Sequence, residues 1–210
     1  MIGRIAKVGE RLVFSRSSNY FFWYGLNISH NRGREPWLGQ QYDTGGGVNV
    51  FARGQVLRWL DVNGGFNRGR EIYYDPVNPF QGQSRSRWFG ITLQPDEHFS
   101  QSVDYNTVRF TRTSDGDRVF TVDIVNLRTT YQFDRHFLVR LIEQYDSSRH
   151  RLLTDLLASY EFVPGTVLHA GYGSLYERRD FRDGRLVPDA GNYMTVSRGL
   201  FFKASYLRRF

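Results

Sequence analysis

The sequence contains no cysteine, which excludes a disulfide framework and a thiolate metal site and fits an envelope protein that folds without oxidation. It has no apolar run of about 18 residues, the length a helix needs to cross a bilayer. The opening stretch MIGRIAKVGERLVFSRSSN is basic but lacks the apolar core and small-residue cleavage site of a secretory signal. An exported protein of this sequence is therefore expected to be a mature form or the downstream piece of a longer chain. Helical spacing of apolar residues is scarce. Negative charge is in deficit, with 21 Asp and Glu against 28 Lys and Arg, for a formal charge of +7.

That basic balance raises the question of nucleic acid, because single strands are bound in basic grooves with interleaved aromatic side chains. Arginine supplies most of the charge but is scattered, with local concentrations at expected loops: Arg32 and Arg34, Arg68 and Arg70, and Arg178, Arg179 and Arg182. Such a distribution describes solvated loops rather than one groove, so no nucleic-acid partner is expected. What the chain does have is aromatic side chains: 13 Tyr, 17 Phe and 4 Trp. Membrane β-barrels use aromatic girdles at both interfaces, and their strands carry lipid-facing residues only at every second position, so a hydrophobic fraction of 40% suits them as well as a soluble domain.

Alternation with a period of two dominates from about residue 19 onward. Tyr20, Phe22, Tyr24, Leu26 and Ile28 fall on one face with Asn27 and Ser29 opposite. Comparable runs cover residues 46–53, 55–66, 85–94, 99–112, 118–133, 136–147, 151–162, 166–176 and 200–210, alongside 19–30. The expected fold is all-β, an antiparallel transmembrane up-and-down β-barrel or the C-terminal portion of one, with about ten to eleven strands in a single domain spanning residues 1–210. Residues 11–15, RLVFS, read as the end of a further strand, which makes a fragment of a larger barrel the expectation. Three long loops are expected at one end, 31–45, 67–84 and 177–195, with short ones at 114–117 and 148–150. The other end carries only short links, at 163–165, 134–135, 95–98 and around Gly54.

The C-terminal half carries the segments NLRTTYQFDRHFLVRLIEQYDSS, RLLTDLLASYEFVPGTVLHAGYG and RGLFFKASYLRRF, with the pair Gln144 and Tyr145, the turn Pro164 and Gly165, and a closing aromatic-Lys-x-Ser-Tyr strand ending in Phe210. This resembles the C-terminal barrel of a family of outer-membrane proteins that carry a carbohydrate-binding module family 9-like domain at the N-terminus. Upstream, WYGLNISHNRGREPW and RWLDVNGGF fit the same kind of barrel. The resemblance implies a bacterial outer-membrane location, contact with outer-membrane lipid and lipopolysaccharide, and an assembly signal for the barrel-assembly machinery at Phe202, Ala204, Tyr206 and Phe210. A glycan partner would be held by a domain outside this sequence. Glu143 stands where an apolar lipid-facing residue is expected between Leu141 and Tyr145.

Catalytic, metal and cofactor chemistry find little support. His30, His98, His136, His150 and His169 lack the spacing of a metal site. No Gly-x-Ser-x-Gly elbow is present. Asp180, Asp183 and Asp189 do not follow the spacing of a calcium loop, and Gly45, Gly46 and Gly47 lack the Lys-Ser or Lys-Thr of a phosphate loop. We therefore expect no enzyme, no metal and no cofactor. If Val125, Leu127, Thr129 and Tyr131 face lipid, then Asn126, Arg128 and Gln132 point into the lumen, and Asp155 does so by the same argument. A transport or surface-binding barrel is the leading expectation. A barrel enzyme acting on lipid or lipopolysaccharide and a soluble ligand-binding β-domain are the alternatives.

Overall fold

The computed structural model describes residues 4–8, 11–17, 23–182, 185–188 and 191–207. Every regular element in them is a strand: β1 (Arg4–Val8), β2 (Arg11–Ser17), β3 (Trp23–Trp37), β4 (Gln40–Leu57), β5 (Leu60–Tyr73), β6 (Phe80–Leu93), β7 (Phe99–Arg112), β8 (Arg118–Gln132), β9 (Phe137–Asp146), β10 (Arg151–Val163), β11 (Thr166–Arg182), β12 (Arg185–Pro188) and β13 (Asn192–Ser205). Each strand from β1 to β12 pairs with the next, and β13 pairs with β11. This is an all-β antiparallel meander, the topology of up-and-down barrels. Leaving aside β1 and β12, of five and four residues, it has eleven strands, as the alternation predicts. From β3 to β11 they run 10 to 18 residues, against the roughly 5 or 6 usual in globular proteins. Among the described residues β1 has β2 as its one paired neighbour and β13 has β11.

Two expectations are corrected. Gly54 is no link: β4 runs through it, pairing it with Tyr24 and Val62, and the turn falls at Arg58 and Trp59. The stretches expected as long loops are largely extensions of strands. β3 and β4 continue to a two-residue turn at Leu38 and Gly39, with φ of 46° and 79°, a mirror-image turn whose twist matches the strands it joins. β5 and β6 close over residues 74–79, and β11 continues to Arg182 and pairs with β12. Polar, glycine-rich stretches such as these do not alternate, yet the backbone ladder satisfies itself whatever the side chains are. Of the strand expected over 19–30, residues 19–22 lie outside the described residues, and 23–30 belong to β3.

Aspartate closes many of the turns. The Asp96 carboxylate accepts from the amides of His98 and Phe99, both at 2.8 Å, and Asp134 accepts from those of His136 and Phe137 at 2.7 and 2.9 Å. Asp75, Asp115 and Asp146 do the same in their own turns. This is the local side-chain to backbone bonding that favours Asp at turns.

The chain forms two compact units, one of Met1–Ile91 with Tyr105–Asp123, the other of Thr92–Asp104 with Ile124–Phe210. In the first, Phe110 is 3% exposed and stacks on Phe120 with centroids 5.4 Å apart. Its ring lies over Gly82, where a Cβ would come within 2.0 Å of it. In the second, Glu177 is buried, held by Arg179 at 2.9 Å and paired with Arg151 from β10.

Candidate functional site

Alternate side chains of a pleated strand leave opposite faces, and residues paired across an antiparallel ladder share a face. The register therefore sorts the second unit into two surfaces. One carries the rows Thr129, Leu141, Leu156, Tyr172, Leu200 and Tyr131, Val139, Ala158, Ala170, Phe202, followed by Phe137, Tyr160, Leu168, Ala204. This face is apolar and open: Leu156, Tyr160, Leu168, Leu200 and Phe202 are all exposed. It takes in Phe202 and Ala204 of the expected assembly signal; Tyr206 lies just past β13, also exposed, and Phe210 lies outside the described residues.

Beside the short turns the apolar face ends in a run of touching rings. Tyr131 meets Phe133 at 4.7 Å, Phe133 meets Phe137 at 4.9 Å, and the chain continues through Tyr160 to Phe162. Tyr145 and Tyr176 mark the opposite end, flanking Leu152. From Phe137 to Tyr145 is eight residues, about 27 Å along the strand, or about 20 Å of height at the tilt of about 40° usual in membrane barrels, somewhat less than an apolar band about 25 Å tall. Glu143 does sit on this face, in a row with Leu127, Thr154, Ser174 and Arg198 one step inside Tyr145, polar at all but Leu127.

The opposite face is mixed in charge. It carries Asn126, Gln144, Leu153; then Arg128, Ile142, Asp155, Gly173; then Thr130, Arg140, Leu157; then Gln132, Leu138, Ser159, His169, Lys203. All four lumen candidates of the sequence, Asn126, Arg128, Gln132 and Asp155, thus lie on one face, with Arg128 and Asp155 in a single row. The Asp155 carboxylate leans over Gly173, whose absent Cβ would lie 2.7 Å from it. A cavity of about 350 Å³ opens on this face, lined by Gln132, Arg135, His136, Arg140, Ser159, Glu161 and His169.

Histidines take part in this architecture in a way that sequence spacing missed. His98 donates from Nδ1 to the Gln132 carbonyl at 2.7 Å, and His136 to the Glu161 carbonyl at 3.0 Å. In each case the same histidine's carbonyl accepts from the amide of that residue, Gln132 or Glu161. Each short turn is thereby tied to the next, and the repeated Asp-x-His-Phe at 96–99 and 134–137 is the signal that could have revealed it. Ser159 and His169 share a hydrogen bond of 2.8 Å across β10 and β11. The His169 neighbour on β13 is Lys203, a cation, where a hydrolytic triad would need a carboxylate. Among the described residues no group of His, Asp and Glu could hold a metal ion.

The first unit shows the same division up to a bulge. Leu26, Ala52 and Gly64 share a face, as do Ile28, Val50 and Phe66, with Asn27, Phe51 and Gly65 opposite. The register then shifts at a bulge of β4 between Gly45 and Val48, opposite Asn31 and Arg32 of β3 and Arg68 to Arg70 of β5. Gly45 and Gly46 have φ of 70° and 65°, and at Gly47 a Cβ would fall 1.4 Å from the Arg68 carbonyl oxygen. Beyond the bulge lies a cavity of about 420 Å³ bordered by Arg32, Arg34, Arg70 and Asp43. Asp43 pairs with Arg70 at 2.7 Å and with Arg34 at 3.4 Å.

No protein-family model and no curated protein matches this chain. Among solved structures, that of a Pseudomonas aeruginosa FadL homologue aligns over 93% of this chain and 66% of its own, with 11% identity and a TM-score of 0.42. A second, the CymD monoaromatic hydrocarbon channel, aligns over 79% of this chain and 68% of its own, with 13% identity and a TM-score of 0.37. The chain spans about two thirds of the length of each.

Proposed function

We propose that this chain is a bacterial outer-membrane β-barrel, or the C-terminal portion of one, that serves passive transport and carries out no catalysis. The observation that carries the reading is the sorting of side chains by register. One face is apolar, exposed and closed off by touching aromatic rings at the short turns. The other is lined by arginine, aspartate, histidine and glutamine. An exposed apolar face of this extent is costly in water and normal in lipid. A face of mixed charge suits a water-filled path, where Asn126, Arg128, Gln132 and Asp155 would meet solute. A link to glycans, through a binding domain elsewhere in the parent protein, is part of the same proposal and rests on the family resemblance alone.

The test is purification with and without detergent, followed by gel mobility before and after boiling. The expected result is protein that stays monodisperse only in detergent and shifts mobility on heating. Stable, monodisperse protein in plain buffer would sink the membrane reading. The assembly signal is tested in the parent protein: deleting Phe210 should lower membrane insertion with synthesis unchanged, and normal insertion would count against it.

A further inference from the structure

On β5 the apolar alternation Val62, Gly64, Phe66 gives way at the next two positions of that face to Arg68 and Arg70. Gly64 lies against Phe89, so these residues share a face with the alternate positions of β6, which run Phe89, Arg87, Arg85, Gln83 away from the Arg58–Trp59 turn. Side-chain contacts agree: Arg68 and Arg85 both donate to the Gln83 carboxamide oxygen, at 3.1 and 3.2 Å. Thr113 pairs with Gln81 through the backbone, which sets Arg109 of β7 beside Arg85. Arg87 is within electrostatic reach of Tyr105, whose hydroxyl donates to Asp123, and Arg109 is within reach of Asp123 itself.

We propose that Arg68, Arg70, Arg85, Arg87 and Arg109 form a binding site for the phosphate groups of a phosphorylated outer-leaflet glycolipid of the lipid A class. The proposal rests on the membrane reading above and names the lipid that this face meets. All five side chains are exposed; Arg68 and Arg70 follow the apolar stretch of β5, Arg87 and Arg85 follow that of β6, and Arg109 lies beside Arg85, at the level where lipid headgroups begin. Five guanidinium groups meet two facing carboxylates, Asp43, which pairs with Arg70 at 2.7 Å, and Asp123, which accepts from the Tyr105 hydroxyl. The patch therefore keeps a positive excess. Guanidinium groups bind phosphate through two parallel hydrogen bonds, and Gln83 holds two of them in place without neutralising either. A lipid with two phosphates on a rigid sugar offers fixed anions spaced for such a row, which a free phosphate does not.

The experiment uses the full chain refolded in detergent, with the heat-dependent mobility shift as the measure of folding. Binding is read by titration with bis-phosphorylated lipid A, dephosphorylated lipid A, phosphatidylglycerol and inorganic phosphate. The triple variant Arg68→Gln, Arg85→Gln, Arg87→Gln should bind bis-phosphorylated lipid A about tenfold more weakly or worse, and dephosphorylating the lipid should cost the parent protein as much. Arg149→Gln, in the exposed turn after β9, should change nothing. A triple variant that keeps its mobility shift and binds like the parent overturns the site while leaving the membrane reading intact. So does a parent that binds phosphatidylglycerol or free phosphate as tightly as lipid A. Should the triple variant fail to fold, Arg87→Gln alone is expected to lose about threefold, and unchanged affinity there overturns the proposal as well.

Discussion

The ladders from β8 to β11 and from β3 to β5 obey the same alternation and differ in how long they keep it. The first shows one register shift, at Glu161/Val163 beside a turn. The second is broken three times, and two of the breaks lie next to each other, at Asn31/Arg32 and Gly45/Val48. Both are one bulge of β4 around Gly46, met from its two neighbours: below it β3 to β5 carry apolar residues on one face, and above it come Arg32, Arg34, Asp43 and Arg70. A bulge adds a residue to one strand, bends it and reassigns its faces. The bulge sits where the side chains cease to be sorted into an apolar face, so strict alternation and that sorting end together.

The largest effect should come from filling that bulge. At Gly47 any side chain would place a Cβ 1.4 Å from the Arg68 carbonyl oxygen, a collision with backbone that no rotamer relieves. Gly47→Ala should cost more than the roughly 1 to 3 kcal/mol of ordinary overpacking and abolish the heat-dependent mobility shift. Gly69→Ala is the control, because its nearest neighbour would be 3.6 Å away. Equal yields of folded protein from the two variants would break the view that the β3 to β5 ladder depends on this close approach.

The regular ladder is probed by placing the same charge on its two faces. Leu156 lies in the apolar row with Leu141 and Tyr172, and Leu157 in the mixed row with Arg140 and Gly171. Leu156→Arg should cost about 2 to 4 kcal/mol if its row is near the bilayer midplane, whereas Leu157→Arg, facing polar groups, should cost less. Denaturant midpoints in lipid vesicles measure both. Similar losses from the neighbouring substitutions would show that the faces are not lipid and lumen.

This contrast also accounts for what is legible in the amino-acid sequence. From β8 to β11 alternation holds over whole strands, so it alone assigns Asn126, Arg128, Gln132 and Asp155 to one face, and Asp, Pro and Gly mark the turns at 95–98, 134–135 and 163–165. The β3 to β5 region defeats the same reasoning. Hairpin extensions rich in glycine and arginine look like loops, because a sequence reveals backbone pairing only through the side chains it sorts. The cross-strand contacts Ser159 with His169 and Arg151 with Glu177 join residues 10 and 26 apart in sequence. No local pattern encodes them, since they follow from register.

Acid should touch both regions through their turns. Backbone amides of His136 and Phe137 hold the Asp134 carboxylate below the ordinary range, those of Asn78 and Val77 do so for Asp75, and Asp115 is lowered by the Asp117 amide and by Arg112. A carboxylate with a folded pKa below its unfolded value adds stability that is complete above the unfolded value, about 4. That stability is lost as pH falls through the folded value. Asp115 and Asp134 are solvent-exposed and Asp75 is partly so, which keeps each contribution small. Urea midpoints should hold steady from neutral pH to about pH 5 and fall below about pH 4, and Asp134→Asn should flatten part of that decline. An unaltered acid profile in Asp134→Asn would remove that turn from the account.

The smallest effect is expected at the tip of the β3–β4 hairpin, and its sign is the informative part. Leu38 is 60% exposed and has φ of 46°, in the left-handed region, with Gly39 following at 79°. A leucine there bears a steric penalty of about 1 to 2 kcal/mol because its Cβ approaches the following carbonyl. Asparagine tolerates this conformation, and Asn-Gly is the favoured pair for such a turn. Leu38→Asn should therefore stabilise the hairpin by up to about 1 kcal/mol, although it removes an apolar side chain. The gain should show as slower proteolysis within residues 31–45, with the mobility shift of the whole chain unchanged. If the hairpin instead buries Leu38 against a lipid surface or a partner, the substitution will destabilise it in vesicles while stabilising it in detergent. Destabilisation in both media would show that the tip is held by contacts of its own and that its backbone strain does not govern it.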